Sequence, residues 1–588
     1  MTPTHLVVVG NGMAGHRVAA ETHRRDPAVR ITVVGGEPRH AYNRVLLTNL
    51  LAGRATEESI ALPALPPDVS VLTGRTAVAL DVSERAVTLD GGDVLPYDRL
   101  VLATGSTPFV PPLKRLVGDD GSLVPGVVAF RTLDDCRRIA RLADAGTRAL
   151  VLGGGLLGVE AARGLAERGL SVRILHAAPH LMERQLDGTA GAMLAESLGG
   201  LGIEVLTGID VVGGARDEES AGVGLSCAPT GTAPHASTGT DPTGATTATG
   251  RTGASTATGR TGASTGTGRT GASTATGRTG ASTATGRTGA STATGRTGAF
   301  AATDPTGTFA TTELADAFNG VELADGRTVP GDLLVVACGT RPDIALARSA
   351  GLATGRGVRV DAWMRTSDPA VYAVGDCAEH ENTVSGLVAA AWDQAGVAAA
   401  ALTGAAGSPP YRPSRPVARL KAAGVDLAAL GDPTAGAGPD REVVTYTDTR
   451  RAVYQRIVLS GERVTGAVLL GDTSTAGIVT RLFDRQEAVP RDRRLLLFPE
   501  LAEAGAATGN GPAALPDDTV VCQCNGVTKG ALLRCRAGGA RDLAAVARAT
   551  GATTGCGGCA PTVAELLALP TAEAPKNPTG TTERQEEE

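Results

Sequence analysis

Two short glycine turns constrain this chain more than any other feature of it. His5 to Gly15 reads HLVVVGNGMAG and Arg148 to Glu160 reads RALVLGGGLLGVE, each an apolar run followed by glycines and a helix-compatible stretch. Strand, Gly-x-Gly-x-x-Gly, helix is the order of a dinucleotide-binding βαβ unit. In the first turn Gly10 permits the tight bend, Gly12 lets the main chain approach a pyrophosphate, and Gly15 allows helix to pack on strand. The free N–H groups and positive dipole end of the following helix favour the same anion. Gly153, Gly155 and Gly158 repeat the arrangement. One such turn is weak evidence; two at strand-to-helix boundaries predict an α/β chain with two dinucleotide-binding, Rossmann-like domains.

The surroundings of the first turn extend the reading. A second strand, Arg30 to Val34, leads to Glu37, about 20 residues beyond the glycines, where a carboxylate can accept from both hydroxyls of an adenine ribose. Arg44, in AYNRVLLTN, is placed to meet a phosphate. A strand over Arg99 to Ala103 ends in Ala103-Thr104-Gly105, a small polar turn at the carboxyl end, where doubly wound sheets hold ligands. After the second turn, the strand Ser171 to Leu175 ends at His176. Neither the acid that selects NAD nor an Arg that favours NADP is evident there, so NAD(P)H is the expectation, with NADH favoured.

Composition narrows the function classes. A formal charge of −6 and only 3% aromatic residues leave neither a basic footprint nor base-stacking side chains, so no nucleic-acid partner is expected. No apolar run approaches the ~18 residues that cross a bilayer, and the first strand starts within a few residues of Met1 without a signal-peptide pattern. A cytoplasmic protein with no membrane partner is the expectation. At 588 residues there is room for several modules.

Nine cysteines are unevenly spread, and four arrive late, as C-x-C and C-x-x-C pairs: Cys522, Cys524, Cys556 and Cys559. Closely spaced thiolate pairs suit a [2Fe–2S] cluster held as a Cys₄ set, and since the last histidine is His380, a two-histidine Rieske centre is excluded from this module. A structural Cys₄ zinc site is the rival. Cys535 is spare, and Cys136, Cys227, Cys338 and Cys377 stand singly.

From Ala248 to Ala299 the chain cycles through ATGRTGAST with period nine, with Arg251, Arg260, Arg269, Arg278, Arg287 and Arg296 equally spaced. Calcium-binding β-roll repeats need an Asp and a large apolar residue per turn, and this repeat has neither. A disordered insertion over 227–312 is therefore expected, since the repeat cannot bury a core; a cationic tether is the alternative. Gly320 to Val336 reads as a hairpin around Asp325-Gly326 and a return strand.

Thr366 to Asp376, TSDPAVYAVGD, closes the pattern with a late Gly375-Asp376. The sequence of motifs, from Gly10 through Ala-Thr-Gly and the second glycine turn to Tyr-Ala-x-Gly-Asp, resembles the two-dinucleotide-domain flavoprotein reductases. VVVGNGMAGHR, YNRVLLTNLLAG and AVGDCAEH are similar to a narrower group. That group is the FAD/NAD(P)H-binding electron-transfer part of the assimilatory nitrite reductase large subunit and of the assimilatory nitrate reductase electron-transfer subunit. The resemblance implies FAD at Gly10, Gly12, Gly15, Glu37, Arg44, Thr104, Gly105, Gly375 and Asp376, with Asp376 on the flavin ribitol. It implies NAD(P)H at Gly153, Gly155, Gly158 and Glu160, the last near the nicotinamide; a solvent-facing helix Glu is the bland alternative. The redox Cys pair of the disulfide reductases is missing, so no thiol chemistry is expected. The Lys that rubredoxin-reductase-like relatives place beside the flavin is replaced by Asn49. The GATTGCGGC context resembles the bacterioferritin-associated-ferredoxin-like domain, which implies [2Fe–2S] ligands at Cys522, Cys524, Cys556 and Cys559.

The resulting expectation is a two-domain flavoprotein reductase with a small α+β interface domain and a small helical [2Fe–2S] domain. The FAD domain takes residues 1–119 and 338–405, the NAD(P)H domain 120–337, the interface domain 410–500, the cluster domain 517–567, and a disordered tail 570–588. With 29 residues after Cys559, no sirohaem domain is expected here and any nitrite chemistry is expected on another polypeptide. The function implied is an NAD(P)H-dependent electron-transfer oxidoreductase serving the molybdenum-containing catalytic subunit of a nitrate reductase. Alternatives are the electron-input half of a split nitrite reductase with a separate catalytic subunit, and, in a different class, a redox-sensing or iron-storage-partner binding module.

Overall fold

The computed structural model describes residues 4–118, 120–215, 318–404, 409–413, 415–501, 512–522, 525–554 and 558–569, together with the backbone of five strands between 245 and 303. Two compact units are distinguished, one of 1–112, 128–211 and 333–588, the other of 113–127 and 212–332.

The first unit contains both glycine turns. His5–Val9, apolar on every position but the first, is the central strand of a parallel sheet in the order Val371–Ala373, Arg99–Leu102, His5–Val9, Arg30–Gly35, Ser70–Thr73. All five residues of His5–Val9 are buried, as a strand covered on both faces requires. The late segment Val371–Ala373 thus returns across more than 260 positions to the edge of the sheet that the first strand founded. In the second sheet Arg148–Leu152 pairs in parallel with Ser171–His176 and with Leu333–Val336, so the strand that resumes after the repeat completes this domain. Ile203–Thr207 extends it beyond Ser171–His176.

Residues 417–470 form a five-stranded antiparallel sheet in the order Val417–Arg419, Leu427–Gly431, Arg463–Leu470, Val453–Ser460, Arg441–Asp448. Helix Ala476–Arg485 covers it through buried Val479, Leu482 and Phe483. One continuous core joins this sheet, through Leu420, Val425 and Leu470, to Leu47 and Leu51 and to Val159 and Leu165. The last module is a two-strand ribbon, Val520–Cys522 with Val527–Thr528, and three helices, Lys529–Ala537, Leu543–Thr550 and Ala560–Ala568.

The second unit holds a hairpin and the repeat. Its antiparallel strands Gly320–Leu323 and Thr328–Pro330 form the expected hairpin around Asp325-Gly326. In the repeat, Ala245–Thr258, Thr261–Thr276, Thr279–Thr285, Thr288–Thr294 and Thr297–Thr303 are strands paired in parallel at a constant offset of 18 residues, Ala254 opposite Ala272 and Ser273 opposite Ser291. Two nine-residue repeats therefore make one coil of a parallel stack. A stack of identical Thr-rich segments satisfies its main chain between neighbouring coils and keeps every coil in register with the next. The remaining parts of the expected insertion, 227–244 and 304–312, lie outside the described residues, as does the tail 570–588.

Candidate active site: two nucleotide cradles and a cysteine module

At the first cradle the chain leaves Val9 and turns at Gly10 with φ +113°. A Cβ on Gly10 would lie 2.1 Å from the carbonyl oxygen of Ala103, and one on Gly15 would lie 1.9 Å from that of Gly10. Both positions therefore exclude any side chain. Gly12, by contrast, faces open space and caps helix Met13–Arg25 with no side chain over its first amides. That is an uncovered helix N-terminus, a site suited to a phosphate. The carboxylate of Glu37 accepts from Arg44 Nη2 at 2.6 Å and from the Tyr42 hydroxyl at 2.9 Å. Burial pushes the Tyr42 phenol up to about 12, so it stays a donor. Asp376 accepts from Ser106 Oγ at 2.8 Å and Arg131 Nη2 at 2.7 Å, while the Gly375 amide donates to Gln394 Oε1 at 2.8 Å. Thr104 Oγ1 donates to the Asp343 carbonyl at 2.6 Å, which pins the Ala-Thr-Gly turn. Gly10, Gly12, Glu37, Arg44, Gly105 and Asp376 open onto one cleft. Arg131 and Gln394 were not found from sequence, since each meets its partner only through the fold.

The second cradle repeats the first. Gly153 turns at φ +112° with its would-be Cβ 2.5 Å from the Ala337 carbonyl oxygen, a Cβ on Gly158 would lie 1.9 Å from the carbonyl oxygen of Gly153, and Gly155 is open. His176 ends the next strand with Nδ1 accepting from the Gly154 amide at 3.1 Å and Nε2 3.1 Å from Glu183 Oε2. An acid thus does reach the place where a strand-end acid was missing, but from seven residues further along the chain.

Glu160 is 2% exposed, so the solvent-facing alternative is overturned. It accepts from Thr48 Oγ1 at 2.9 Å, and from the amide and Nζ of Lys421 at 3.0 and 2.6 Å. Lys421, supplied by the antiparallel domain, is the residue that sequence reading overlooked. Glu160 and Lys421 line the same cleft as Arg44 and Asp376, where a buried, hydrogen-bonded ion pair sets a fixed local field.

In the last module Cys522 and Cys559 are buried beside Val527, Leu532, Val546 and Val563. Cys524 and Cys556 lie outside the described residues. Asn525 donates from Nδ2 to the Gly551 carbonyl at 2.5 Å and to Thr554 Oγ1 at 3.1 Å, tying the first cysteine loop to the second. Two buried thiols on loops so tied, with the remaining cysteines two or three positions away in the sequence, fit a thiolate-held cluster. Cys535 is half-buried. Elsewhere burial pushes the thiols of Cys136, Cys338 and Cys377 up, the first to about 12 and the second to about 11, which leaves them protonated and poor nucleophiles. Among the described residues there is no second cysteine beside either glycine turn. Cys227 is outside them.

This geometry is matched by family models. The pyridine nucleotide-disulphide oxidoreductase model covers residues 4–259 and 306–395, and the chain belongs to that family. Residues 416–487 match the rubredoxin NAD+ reductase C-terminal domain and residues 520–568 the BFD-like [2Fe–2S] binding domain. The chain is thus an NAD(P)H-dependent flavoprotein oxidoreductase, with FAD, NAD(P)H and a [2Fe–2S] cluster as its cofactors. It is 30% identical to a nitrite reductase [NAD(P)H] of Bacillus subtilis (strain 168) over 96% of this chain and 58% of that protein. It is 29% identical to the assimilatory nitrate reductase electron transfer subunit of the same organism over 96% of this chain and 60% of that protein. The chain therefore spans less than two thirds of the length of these relatives. A ferredoxin reductase from Rhodopseudomonas palustris shares the fold, with a TM-score of 0.60 and 20% identity over 83% of this chain and 96% of that one. No helix among the described residues is long and apolar enough to cross a membrane.

Proposed function

We propose that this chain takes electrons from NAD(P)H and delivers them, through FAD and the [2Fe–2S] cluster, to the molybdenum-containing catalytic subunit of an assimilatory nitrate reductase. The observation that carries this reading is the single cleft that runs from Gly10, Glu37 and Asp376, past Glu160 and Lys421, to Cys522 and Cys559. The first nucleotide cradle, the Glu160–Lys421 pair and two of the late cysteines therefore line one cleft. FAD supplies the conversion of a two-electron hydride into single electrons, and the protein's part is to bind, orient and exclude.

In this reading Gly10, Gly12 and Gly15 admit the FAD pyrophosphate to the helix N-terminus, with Thr104 and Gly105 shaping the opposite wall. Glu37 takes the adenosine ribose and is held for that task by Tyr42 and Arg44, the latter also facing the phosphates. Asp376, oriented by Arg131 and Ser106, takes the ribitol. Gly153, Gly155 and Gly158 receive NAD(P)H, with Glu183 and His176 beside its adenosine ribose. Glu160 stands near the nicotinamide, held in place by Lys421 and Thr48. Cys522, Cys524, Cys556 and Cys559 hold the cluster.

A second reading has support of its own, in the nitrite reductase similar to this chain: the electron-input half of a nitrite reductase whose catalytic part lies on a separate subunit. Purified protein with NADH is expected to reduce an artificial dye but neither nitrate nor nitrite. Added catalytic subunit of the nitrate enzyme then restores nitrate reduction. Stimulation by a nitrite-reducing subunit instead favours the second reading, and nitrite turnover by this chain alone overturns both.

A further inference from the structure

The turn Asn525-Gly526, between the two cysteine loops, is the part of the last module pressed against the first nucleotide domain. Asn43, 2% exposed, donates from Nδ2 to Asn525 Oδ1 at 2.7 Å. Asn43 stands immediately before Arg44, and its own Oδ1 accepts from the Val45 amide at 3.0 Å. The Asn525 carboxamide is thus fully used: two hydrogens hold the loop that ends in the second cysteine pair, and its oxygen takes Asn43. Beside it Gly526 has φ +60°, and a Cβ there would lie 2.7 Å from Trp392 Cε3. Trp392 belongs to helix Val388–Leu402, which starts twelve residues after Asp376 and lines the cleft with it. Two further contacts close the seam. Arg485 Nη2 donates to Thr519 Oγ1 at 2.7 Å, and Gly558 sits against Arg419.

We propose that Asn43 and Gly526 are positioning residues in an internal docking surface that clasps the cluster module to the flavin end of the cleft and sets the spacing for flavin-to-cluster transfer. The inference rests on the electron path proposed above. NADH provides two electrons and one proton per molecule; the electrons leave the flavin one at a time, each reducing the chain's one cluster and passing on to a one-electron acceptor before the next follows, and the proton goes to solvent. A buried amide pair and a glycine fitted to an indole face form a specific seam, because neither tolerates a shift without leaving a polar group unpaired or a clash.

Two variants of the full chain test the clasp. Asn43→Asp keeps the oxygen that caps Val45 but loses the donor and sets a carboxylate against Asn525 Oδ1. Gly526→Ala drives a methyl into Trp392. Flavin content, iron content and the rate of flavin reduction by NADH are expected to stay within about twofold of the parent, because neither residue lies in a cofactor cradle. Cluster reduction, followed by freeze-quench paramagnetic resonance, is expected to slow by about tenfold or more in Gly526→Ala and by several-fold in Asn43→Asp, since small displacements of reacting groups carry large rate costs. Amide exchange over 519–528 in the cofactor-free protein is expected to quicken in both. Unchanged cluster reduction with unchanged exchange overturns the clasp. Loss of iron in both variants overturns it too, by making the seam part of the cluster site. If Gly526→Ala does not fold, Asn43→Asp decides. If NADH fails to reduce the cluster of the parent protein, the electron path fails, and the exchange measurement still decides the docking surface.

Discussion

Lys421→Met is expected to cost about 3–5 kcal/mol of unfolding free energy, because it strands the Glu160 carboxylate in a site 2% exposed. The pair is closed by the amide of Lys421 and the hydroxyl of Thr48, so both states of the parent are well satisfied and the variant alone is not. Glu160→Gln/Lys421→Met removes both charges together and is expected to recover most of that loss, since an isosteric neutral replacement of a buried pair is often close to neutral. Denaturant unfolding of the cofactor-free protein checks both. A loss below about 1 kcal/mol for Lys421→Met would place the pair in solvent rather than in the core that joins the three domains.

The second large effect is expected in Cys522→Ser. With one of four thiolates gone, iron and acid-labile sulfide should fall to a small fraction of the parent value while flavin stays bound. NADH-driven reduction of a one-electron protein acceptor should drop by about 100-fold or more, as expected when a required carrier is removed, whereas a small dye that meets the flavin directly should lose little. Cys535→Ser, in the same module but outside both cysteine pairs, is the control and should leave iron, flavin and both activities near the parent level. Equal losses in the two variants would deny Cys522 a ligand's role.

The glycine turns, Glu37, the Ala-Thr-Gly turn and Gly375-Asp376 were legible because each is a local pattern whose residue types have few substitutes. A side chain at Gly10 or Gly15 has nowhere to go, so the motif is written into the chain wherever the turn is needed. What surrounds those residues was not legible. Arg131 reaches Asp376 across 245 positions, Lys421 reaches Glu160 across 261, and Asn43 reaches Asn525 across 482. Each of these is an ordinary polar residue in an unremarkable local context, and only the packing of separate domains gives it a partner. Glu183 is nearer, seven residues beyond His176, yet it lies past the strand end, and only the fold of the following loop brings it to the ring. The repeat has the composition of a chain without a core, but its strict period lets identical segments stack at an offset of 18 residues.

The central claim is that electrons from the nicotinamide leave this chain through the late cysteines. Anaerobic titration of the holoprotein with NADH, followed by flavin absorbance and by the paramagnetic signal of the reduced cluster, tests it most directly. The flavin is expected to bleach and a reduced [2Fe–2S] signal to grow to about one spin per chain, consistent with a Cys₄-held cluster. Flavin reduction with no such signal, in protein shown to hold zinc and no sulfide at Cys522 and Cys559, would contradict it.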